Sequence, residues 1–386
     1  MKRSLEDRFA YQKTNRYFAQ IANGLEKLEA EEISKLGASD VKTTYRGIYF
    51  TADHETLYRV NYTSRFASQV LAPILTFDCH SEKYLYKTAK SLPWKRLLSL
   101  DETFAVKANV SKSRIRHSQY AERRLKDAVV DYFREISGRR PNVDPKDPDL
   151  WLNLYIHNNK ATISVDTSGG SLHRRGYRLD SVSAPMQETV AAAIIKFSGW
   201  SGQRRLYDPM CGSGTLLAEA YMYACRIPAG YLRCKFGFEQ LPDFDEELWK
   251  KVKQDYEKQI KTLPKGLIAG SDLSEDAVRA AGNNLKRLPG GENVDITRRP
   301  FQKIDSLKET VIICNPPYGI RSNDTGGAKA LLDEFVSFLK ERCSGAVAYI
   351  YLGRKKLFKS VFLKASWEKE INSGGLRGYL AKYEIR

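Results

Sequence analysis

The sequence predicts an α/β protein in which a mostly parallel, doubly wound sheet follows an α+β half. From residue 184 onward, strand-like and helix-like segments alternate, which is typical of a doubly wound domain. Residues 16–166 instead mix short strand-like runs with two amphipathic helices, which is typical of small α+β modules. The last two strand-like segments, Trp367–Ile371 and Leu376–Ile385, flank Asn-Ser-Gly-Gly and predict a terminal antiparallel hairpin.

The first half contains predicted strands and helices that precede a connector. The predicted strands are Tyr17–Ala22, Gly47–Thr51, Phe104–Val110, Leu152–Ile156 and Ala161–Val165. The predicted helices, in which apolar residues recur at helical spacing, are Gly24–Leu36 and Gln119–Ile136. Residues 167–183 are predicted to connect the halves, because a flexible Ser-Gly-Gly is followed there by a basic run.

The second half contains the alternating segments and one polar insertion. Its predicted helices are Pro185–Phe197, Thr215–Cys225, Glu275–Leu288 and Ala328–Arg342, with a helical insertion at Pro242–Leu263. Its predicted strands before the hairpin are Arg205–Met210, Leu267–Asp272, Asp295–Pro300, Val311–Asn315 and Ala346–Leu352.

Composition narrows the class of protein. A length of 386 residues suggests two or three domains, and the formal net charge of +17 indicates a polyanionic partner without separating RNA from DNA. No apolar run of about 18 residues and no apolar signal region are present, so we expect a cytoplasmic protein without a membrane partner. The six cysteines form no C-x-x-C pair and adjoin no histidine cluster, which predicts reduced thiols and no metal site.

A basic stretch at residues 112–140 is the first candidate site, with nine basic residues against four acidic ones. A solvated helix face would explain part of it, but the loops at both helix ends are basic too, which favours contact with phosphates. With the basic connector, the candidate RNA-binding residues are Lys112, Arg114, Arg116, Arg123, Arg124, Arg139, Arg140, Arg174 and Arg175.

A glycine-rich segment, Asp208-Pro209-Met210-Cys211-Gly212-Ser213-Gly214-Thr215, separates a predicted strand from a helix. Ligands of open α/β sheets bind at this position. A P-loop is excluded because no lysine follows Gly214, and a dinucleotide site would need an acid about 20 residues further on. The acid that ends the next strand, Asp272, stands 58 residues beyond Gly214 and could accept both hydroxyls of a ribose. The pattern therefore suits S-adenosylmethionine (SAM) better than a pyrophosphate. The alternative role for Asp272 is to cap the helix that follows, but Ser274 is the better capping residue.

The segment Asn315-Pro316-Pro317-Tyr318 follows an apolar strand and carries the chemistry. The prolines impose an extended turn whose carbonyls are free. The side-chain oxygen of Asn315 and the carbonyl of Pro316 could accept both protons of a planar amine, and Tyr318 offers a ring on which a base could stack. This set of groups predicts methyl transfer to an exocyclic nitrogen. The alternative is that the motif has a purely structural role, as a rigid turn at the edge of the sheet.

The order Asp-Pro-Met-Cys-Gly-Ser-Gly-Thr, Gly-Ser-Asp, Asn-Pro-Pro-Tyr-Gly resembles the amino methyltransferases. The front half resembles a THUMP domain, an RNA-binding module, preceded by a ferredoxin-like subdomain; Gly138–Asp144 and Asp166–Arg178 are its most specific marks. The chain is similar to the bacterial 23S rRNA guanine-N2 methyltransferase family. That resemblance implies a tail at 1–15, a ferredoxin-like part at 16–45, a THUMP domain at 46–166, the connector at 167–183 and a Rossmann-like methyltransferase domain at 184–386.

The resemblance also implies roles for individual residues. The catalytic residues would be Asn315, Pro316, Pro317 and Tyr318, which hold the guanine. The cofactor residues would be Ala184 and Pro185 at the pocket's edge, Asp208, Pro209, Cys211, Gly212, Gly214 and Thr215 for the methionine part, Asp272 for the ribose, Phe301 and Gln302 for the adenine, and Asn315. The expected cofactor is SAM, which leaves as S-adenosylhomocysteine (SAH), and the expected partner is 23S rRNA or a large-subunit assembly intermediate. Two alternatives stay open: adenine-N6 methylation of DNA, and an inert RNA-binding assembly factor.

Overall fold

The computed structural model describes residues 8–180, 186–317, 325–353, 363–373 and 376–386. The chain divides into two compact units, each with one sheet. The eight-stranded unit comprises Met1–Ile21, Glu29–Leu172 and Arg233–Lys253. The seven-stranded unit comprises Ala22–Leu28, His173–Leu232 and Gln254–Arg386.

The eight-stranded unit has an α+β fold, as predicted. Its helices are α1 (Ala10–Thr14), α2 (Glu26–Lys35, which begins in the other unit's residues), α3 (His54–Thr63), α4 (Glu82–Lys90) and α5 (Ser118–Ser137). Its strands are β1 (Arg16–Ile21), β2 (Ser39–Thr44), β3 (Gly47–Thr51), β4 (Ala67–Asp78), β5 (Thr103–Ser111), β6 (Asn142–Val143), β7 (Leu150–His157) and β8 (Lys160–Asp166). They are ordered β2-β3-β1-β4-β8-β7-β5-β6.

One face of this sheet forms the core of the unit. Strand β1 shows the alternation that strands require, with Tyr17, Ala19 and Ile21 buried and Phe18 and Gln20 on the opposite face, partly exposed. Helix α5 packs on the buried side through apolar residues at helical spacing, among them Leu125, Ala128 and Phe133. The two faces of the sheet therefore differ in chemistry.

The segment Arg233–Lys253 belongs to the eight-stranded unit although it lies beyond the predicted boundary at residue 184. Aromatic rings hold it there: Tyr58 of α3 contacts Phe238 with ring centroids 4.6 Å apart, and Tyr62 contacts Trp249 at 5.2 Å. His54 adds an ion pair to Asp243 at 3.2 Å. The predicted insertion is helical at α8 (Glu246–Glu257), as expected.

The seven-stranded unit has the predicted α/β fold. Its other helices are α6 (Glu188–Ser198), α7 (Thr215–Ala224), α9 (Glu275–Leu285) and α10 (Thr325–Arg342). Its strands are β9 (Leu206–Asp208), β10 (Ile268–Asp272), β11 (Asp295–Arg298), β12 (Val311–Cys314), β13 (Val347–Leu352), β14 (Trp367–Ser373) and β15 (Leu376–Glu384).

These strands are ordered β11-β10-β9-β12-β13-β15-β14. Strands β9 to β13 run parallel, and β15 runs antiparallel to both β13 and β14, which confirms the parallel sheet with a terminal antiparallel hairpin. From β9 the chain first builds outward through β10 and β11 and then continues on the other side with β12. The gap beyond the carboxyl ends of β9 and β12 is therefore the topological switch point, where open sheets bind ligands.

In the described part of the chain, no helix is both long and apolar enough to cross a bilayer. The same residues contain no cluster of three or more metal-ligating side chains.

Candidate active site

The three predicted motifs follow three adjacent strands. Gly270 of β10 is paired with Asp208 of β9, and Ile312 of β12 is paired with Tyr207 of β9. Because the strands are parallel, Asp272, Asp208 and Asn315 lie at the same edge of the sheet, at its switch point. The fold thus brings together residues that are more than 100 positions apart in sequence.

The loop between β9 and α7 is a tight turn that needs glycine. Gly214 has φ +79°, and a Cβ there would lie 3.0 Å from Cβ of Ala281. The loop is also bonded to β10, since the N–H of Cys211 donates to the carbonyl of Ser271 at 3.0 Å. The loop ends at Thr215, the buried first residue of α7, so the amino end of that helix faces the same edge of the sheet.

Asp272 is already positioned by backbone donors. Its Oδ2 accepts from the N–H of Gly212 and its Oδ1 from the N–H of Ser274, both at 2.9 Å. Each oxygen keeps lone-pair capacity for another donor, which fits a pair of neighbouring hydroxyl groups. The helix cap is supplied by Ser274, whose side chain accepts from the N–H of Ala277.

Asp208 is a buried acid, 1% exposed, whose Oδ1 accepts from the N–H of Met210 at 3.1 Å. Burial raises the pKa of this carboxyl well above its ordinary value, and the charge of Asp272 raises it further. A buried acid beside a second acid favours a bound cation, because a positive charge would stabilise the ionised form. This arrangement fits a ligand with an ammonium or sulfonium group.

The environment of the Cys211 thiol disfavours a nucleophilic role. Its side chain is buried, and burial raises its pKa well above the ordinary value, with Asp208 and Asp272 adding to the rise. A protonated thiol is a poor nucleophile. Five of the six cysteines are buried and all six are free, as the sequence suggested.

Asn315 carries the most informative atom of the site. Among the described residues, its Oδ1 is buried and has no hydrogen-bond partner. Buried polar atoms are nearly always satisfied, so an orphan acceptor at a ligand-binding edge indicates a donor supplied by a ligand. Pro316 is buried and Pro317 is exposed, while Tyr318 lies outside the described residues.

The two residues predicted to contact adenine differ in exposure. The ring of Phe301 is buried and packs edge-to-face against Phe335 and Phe338, at 5.2 and 5.6 Å. Gln302 is exposed and donates to Glu334 at 2.8 Å. Because the Phe301 ring is part of the core, a contact of Phe301 with adenine would come from its backbone, which begins the 3-10 turn Phe301–Lys303.

Two supporting residues were missed in the sequence. Arg178 donates to Oε1 of Glu188 at 3.0 Å and to the hydroxyl of Thr215 at 3.1 Å. Asn284 of α9 accepts from the N–H of Leu179 and donates to the carbonyl of Ser213, at 2.8 and 3.0 Å. Both residues tie the connector to the glycine loop. In the sequence, the one signal for them is Asn284, a polar residue among the apolar residues of helix α9. Ala184 and Pro185, the predicted pocket edge, lie outside the described residues.

The candidate RNA-binding residues separate by exposure. Lys112, Arg114, Arg116, Arg123, Arg139, Arg140 and Arg174 are exposed. Arg124 is partly buried, stacks on the ring of Tyr86 at 4.7 Å and, with Arg140, lines a cavity of about 730 Å³.

Arg175 corrects the prediction. It is 2% exposed and forms a buried ion pair with Glu219, Nε to Oε1 3.4 Å, an oxygen to which Tyr177 also donates. Its charge is therefore used inside the seven-stranded unit, and its side chain is too buried for contact with RNA.

The site fits SAM in each part that is described. The two acids suit its cationic groups, the glycine loop allows close approach of its methionine part, and the free lone pairs of Asp272 suit its ribose hydroxyls. The fold and this site define a SAM-dependent methyltransferase.

Comparison with known families gives the particular family. The RMKL-like methyltransferase domain matches residues 175–381, which is more than half of the chain. A THUMP domain matches residues 79–166, and the RlmL ferredoxin-like domain matches residues 16–71. The chain belongs to the RMKL-like methyltransferase family and carries an RNA-binding THUMP domain, which confirms the resemblance seen in the sequence.

Curated relatives agree with this family. The chain is 35% identical over 383 residues to a Synechocystis sp. protein named as a candidate RNA methyltransferase, covering 99% of this chain and all of the relative. It is 36% identical over 377 residues to the ribosomal RNA large subunit methyltransferase K/L of Vibrio cholerae. That match covers 96% of this chain and 53% of the relative, so the chain spans about half the length of the K/L proteins.

Solved structures agree as well. The crystal structure of SMU.472, a candidate methyltransferase complexed with SAH, superposes with a TM-score of 0.84 at 26% identity, covering 97% of this chain and 98% of that one. A Listeria monocytogenes protein named as a predicted N6-adenine-specific DNA methylase superposes at 0.82 with 27% identity, covering 97% of each chain.

Proposed function

We propose that this chain transfers a methyl group from SAM to the exocyclic N2 amine of a guanine in 23S rRNA, presented as free rRNA or as a large-subunit assembly intermediate. The names of the K/L relatives, of which the chain spans about half the length, support a large-subunit rRNA substrate. The proposed site is formed by Asn315 to Pro317 and the glycine loop of Asp208 to Thr215, and the motif adds Tyr318 from the sequence.

The observation that carries the proposal is the orphan acceptor Oδ1 of Asn315. An exocyclic amine has two protons and a lone pair that is delocalised into the base. When Asn315 and the carbonyl of Pro316 accept those protons, the lone pair becomes more available and the nitrogen is oriented. Bound SAM supplies the electrophilic methyl group. No strong base is needed, because the nitrogen loses its proton after it becomes cationic.

Charge and domain composition support RNA over other substrates. The exposed arginines and lysines of residues 112–140 lie in the unit that contains the THUMP match. Basic residues supply the sequence-independent part of nucleic-acid affinity. A guanine amine in a helix is hidden in the minor groove, so the base must be unpaired or flipped before it can reach Asn315.

The test uses the purified full chain, radiolabelled SAM and protein-free 23S rRNA, with 16S rRNA and duplex DNA as competing substrates. We expect label in 23S rRNA, recovered as N2-methylguanosine by nuclease digestion and mass spectrometry. Label recovered as N6-methyladenosine in DNA, or at a ring nitrogen of guanine, would contradict the proposal. A chain that fails to bind SAH by calorimetry would favour the inert assembly factor.

Asn315→Ala is the decisive variant. It removes the acceptor and should reduce methylation at least 100-fold, since removing one preorganised hydrogen-bonding group costs about 10²–10³ in rate. Its melting temperature should not fall, because no described residue bonds to that oxygen. Asn283→Ala, an exposed asparagine of α9, is the matched control and should keep full activity.

A further inference from the structure

The eight-stranded sheet has a second face, opposite the one that forms the core, and we call the solvent-exposed part of it the open face. Strand register places Arg16 and Phe18 of β1, Tyr49 of β3, Lys107 of β5, and Tyr155 and His157 of β7 on this face. They occupy the positions that alternate with the buried core residues of the same strands.

Aromatic rings on this face are open to solvent. Tyr49 is 44% exposed and Tyr155 is 46% exposed. Phe18 lies beside Tyr49 with ring centroids 4.9 Å apart, and His157 lies parallel to Tyr155 at 6.1 Å and 5°. Strands β3 and β7, which carry the two tyrosines, are separated in the sheet by β1, β4 and β8, so the exposed rings are spread across this face.

Two lysines lie on the same face of the sheet. Lys107 lies over the ring of Trp151 at 4.1 Å, and Lys42 is the strand partner of Tyr49. Carboxylates are few here: the exposed acids on the strands of this face are Asp40 and Asp78, near its edges. The surface therefore combines exposed π faces with positive charge.

A basic loop adjoins the β7 end of the open face. Ser111 of β5 is hydrogen-bonded to His157 at 2.8 Å, and the next residues are the exposed Lys112, Arg114 and Arg116. The N–H of Arg114 donates to Oδ1 of Asn159 in the turn after β7, at 2.9 Å, which holds the loop against that end of the sheet. Phosphate-binding groups thus lie beside the stacking groups.

We propose that the open face binds a single-stranded segment of the RNA substrate, with bases stacked on Tyr49 and Tyr155 and the backbone held by the basic loop Lys112–Arg116. This inference rests on the proposed function. Exposed rings on a sheet flanked by cations are the arrangement on which unpaired bases stack without sequence preference. A duplex cannot use such rings, because its bases are already stacked on one another. The face is therefore expected to prefer unpaired RNA.

The test measures fluorescence anisotropy of a labelled 12-mer RNA of mixed sequence, single-stranded or annealed to its complement, with the full chain. Tyr49→Ala with Tyr155→Ala should weaken single-strand binding by about five-fold or more, since each stacked base contributes substantially to affinity. Tyr49→Phe with Tyr155→Phe keeps the rings and should bind like the unmodified chain. Tyr84→Ala is the matched control, because Tyr84 is similarly exposed but lies on helix α4.

Circular dichroism and SAH binding check that each variant is folded and keeps its cofactor site, and we expect both to be unchanged. Two results would overturn the inference: the double alanine variant binds single-stranded RNA as tightly as the unmodified chain, or the unmodified chain shows no preference for unpaired RNA. Either result leaves rRNA methylation by the unmodified chain intact, so the two proposals fail independently. If the inference holds, the double alanine variant also raises KM for 23S rRNA and leaves KM for SAM unchanged.

Discussion

The carboxylate of Asp272 accepts a hydrogen bond from the backbone N–H of Gly212, with Oδ2 and N 2.9 Å apart. This bond joins the end of β10 to the loop that follows β9. One side chain thus fixes the glycine loop. If Asp272 also holds the ribose, as proposed, the two parts of the cofactor pocket are coupled through it.

Asp272→Ala should weaken SAH binding by about ten-fold to a hundred-fold. The change removes charge-assisted hydrogen bonds, each worth about 1.5–3 kcal/mol, and releases the loop at Gly212. Isothermal titration calorimetry measures the loss. Asp276→Asn, an exposed acid in the first turn of α9, is the control and should bind SAH normally. An unchanged affinity in Asp272→Ala would mean that the ribose is held elsewhere.

Binding of SAM should release a proton from Asp208. Burial raises the pKa of this carboxyl well above its ordinary value, and the charge of Asp272 adds to the rise. A cationic ligand favours the carboxylate and lowers that pKa, so affinity should increase as pH rises towards the raised pKa. Calorimetry in buffers of different ionisation enthalpy measures the proton release. Asp208→Asn should bind weakly and release none.

The same shift affects the ligand-free protein. Because the pKa of Asp208 is raised in the folded state, its protonated form favours folding. This contribution to the free energy of unfolding is fully present below the unfolded pKa of about 3.9 and is lost as pH rises through the folded pKa. The free energy of unfolding should therefore decrease less with rising pH in Asp208→Asn than in the unmodified chain. Denaturant titrations at several pH values measure this, and parallel curves would show that Asp208 ionises normally.

Gly214 of the site and Gly282 of helix α9 provide a matched pair. Gly214→Ala forces a side chain into φ +79° and against Ala281, so we expect a loss of about 1–3 kcal/mol in the free energy of unfolding together with weaker SAH binding. Gly282→Ala, in the interior of α9 with open space around the new Cβ, should raise stability by up to about 1 kcal/mol. Urea denaturation compares the two, and equal effects would contradict this account of the loop.

The seven-stranded sheet was predictable because its signals are local. Each buried strand is a short apolar run, each helix has an apolar stripe, and Gly214 and Pro316 mark turns directly in the sequence. Strand β4 was not predicted, since Pro73 interrupts it and its burial does not alternate regularly. Helices α1, α3 and α4 were also missed, and Tyr11 of α1 is buried although residues 1–15 were expected to be a tail.

Contacts between distant parts of the chain were beyond sequence reasoning. The return of Arg233–Lys253 to the eight-stranded unit depends on rings such as Tyr58 and Phe238, which are 180 positions apart. Asn315 was correctly placed at a strand end, whereas the orphaned state of its oxygen depends on every neighbour in the fold. The sequence gives no reason to distinguish the adjacent Arg174 and Arg175, whereas in the structure Arg174 is exposed and Arg175 is buried.

Arg174 and Arg175 should therefore behave in opposite ways. Arg175→Ala leaves Glu219 buried without its ion pair, so we expect a loss of about 3–5 kcal/mol in the free energy of unfolding. Arg174→Ala, at an exposed position, should cost less stability than Arg175→Ala and should weaken RNA binding, reducing the salt dependence of log K by about 1. Urea denaturation and RNA binding across a salt series measure both quantities in both variants. If Arg175→Ala kept full stability and lost RNA affinity, Arg175 would contact RNA, as the sequence predicts, and would not stabilise the fold through Glu219.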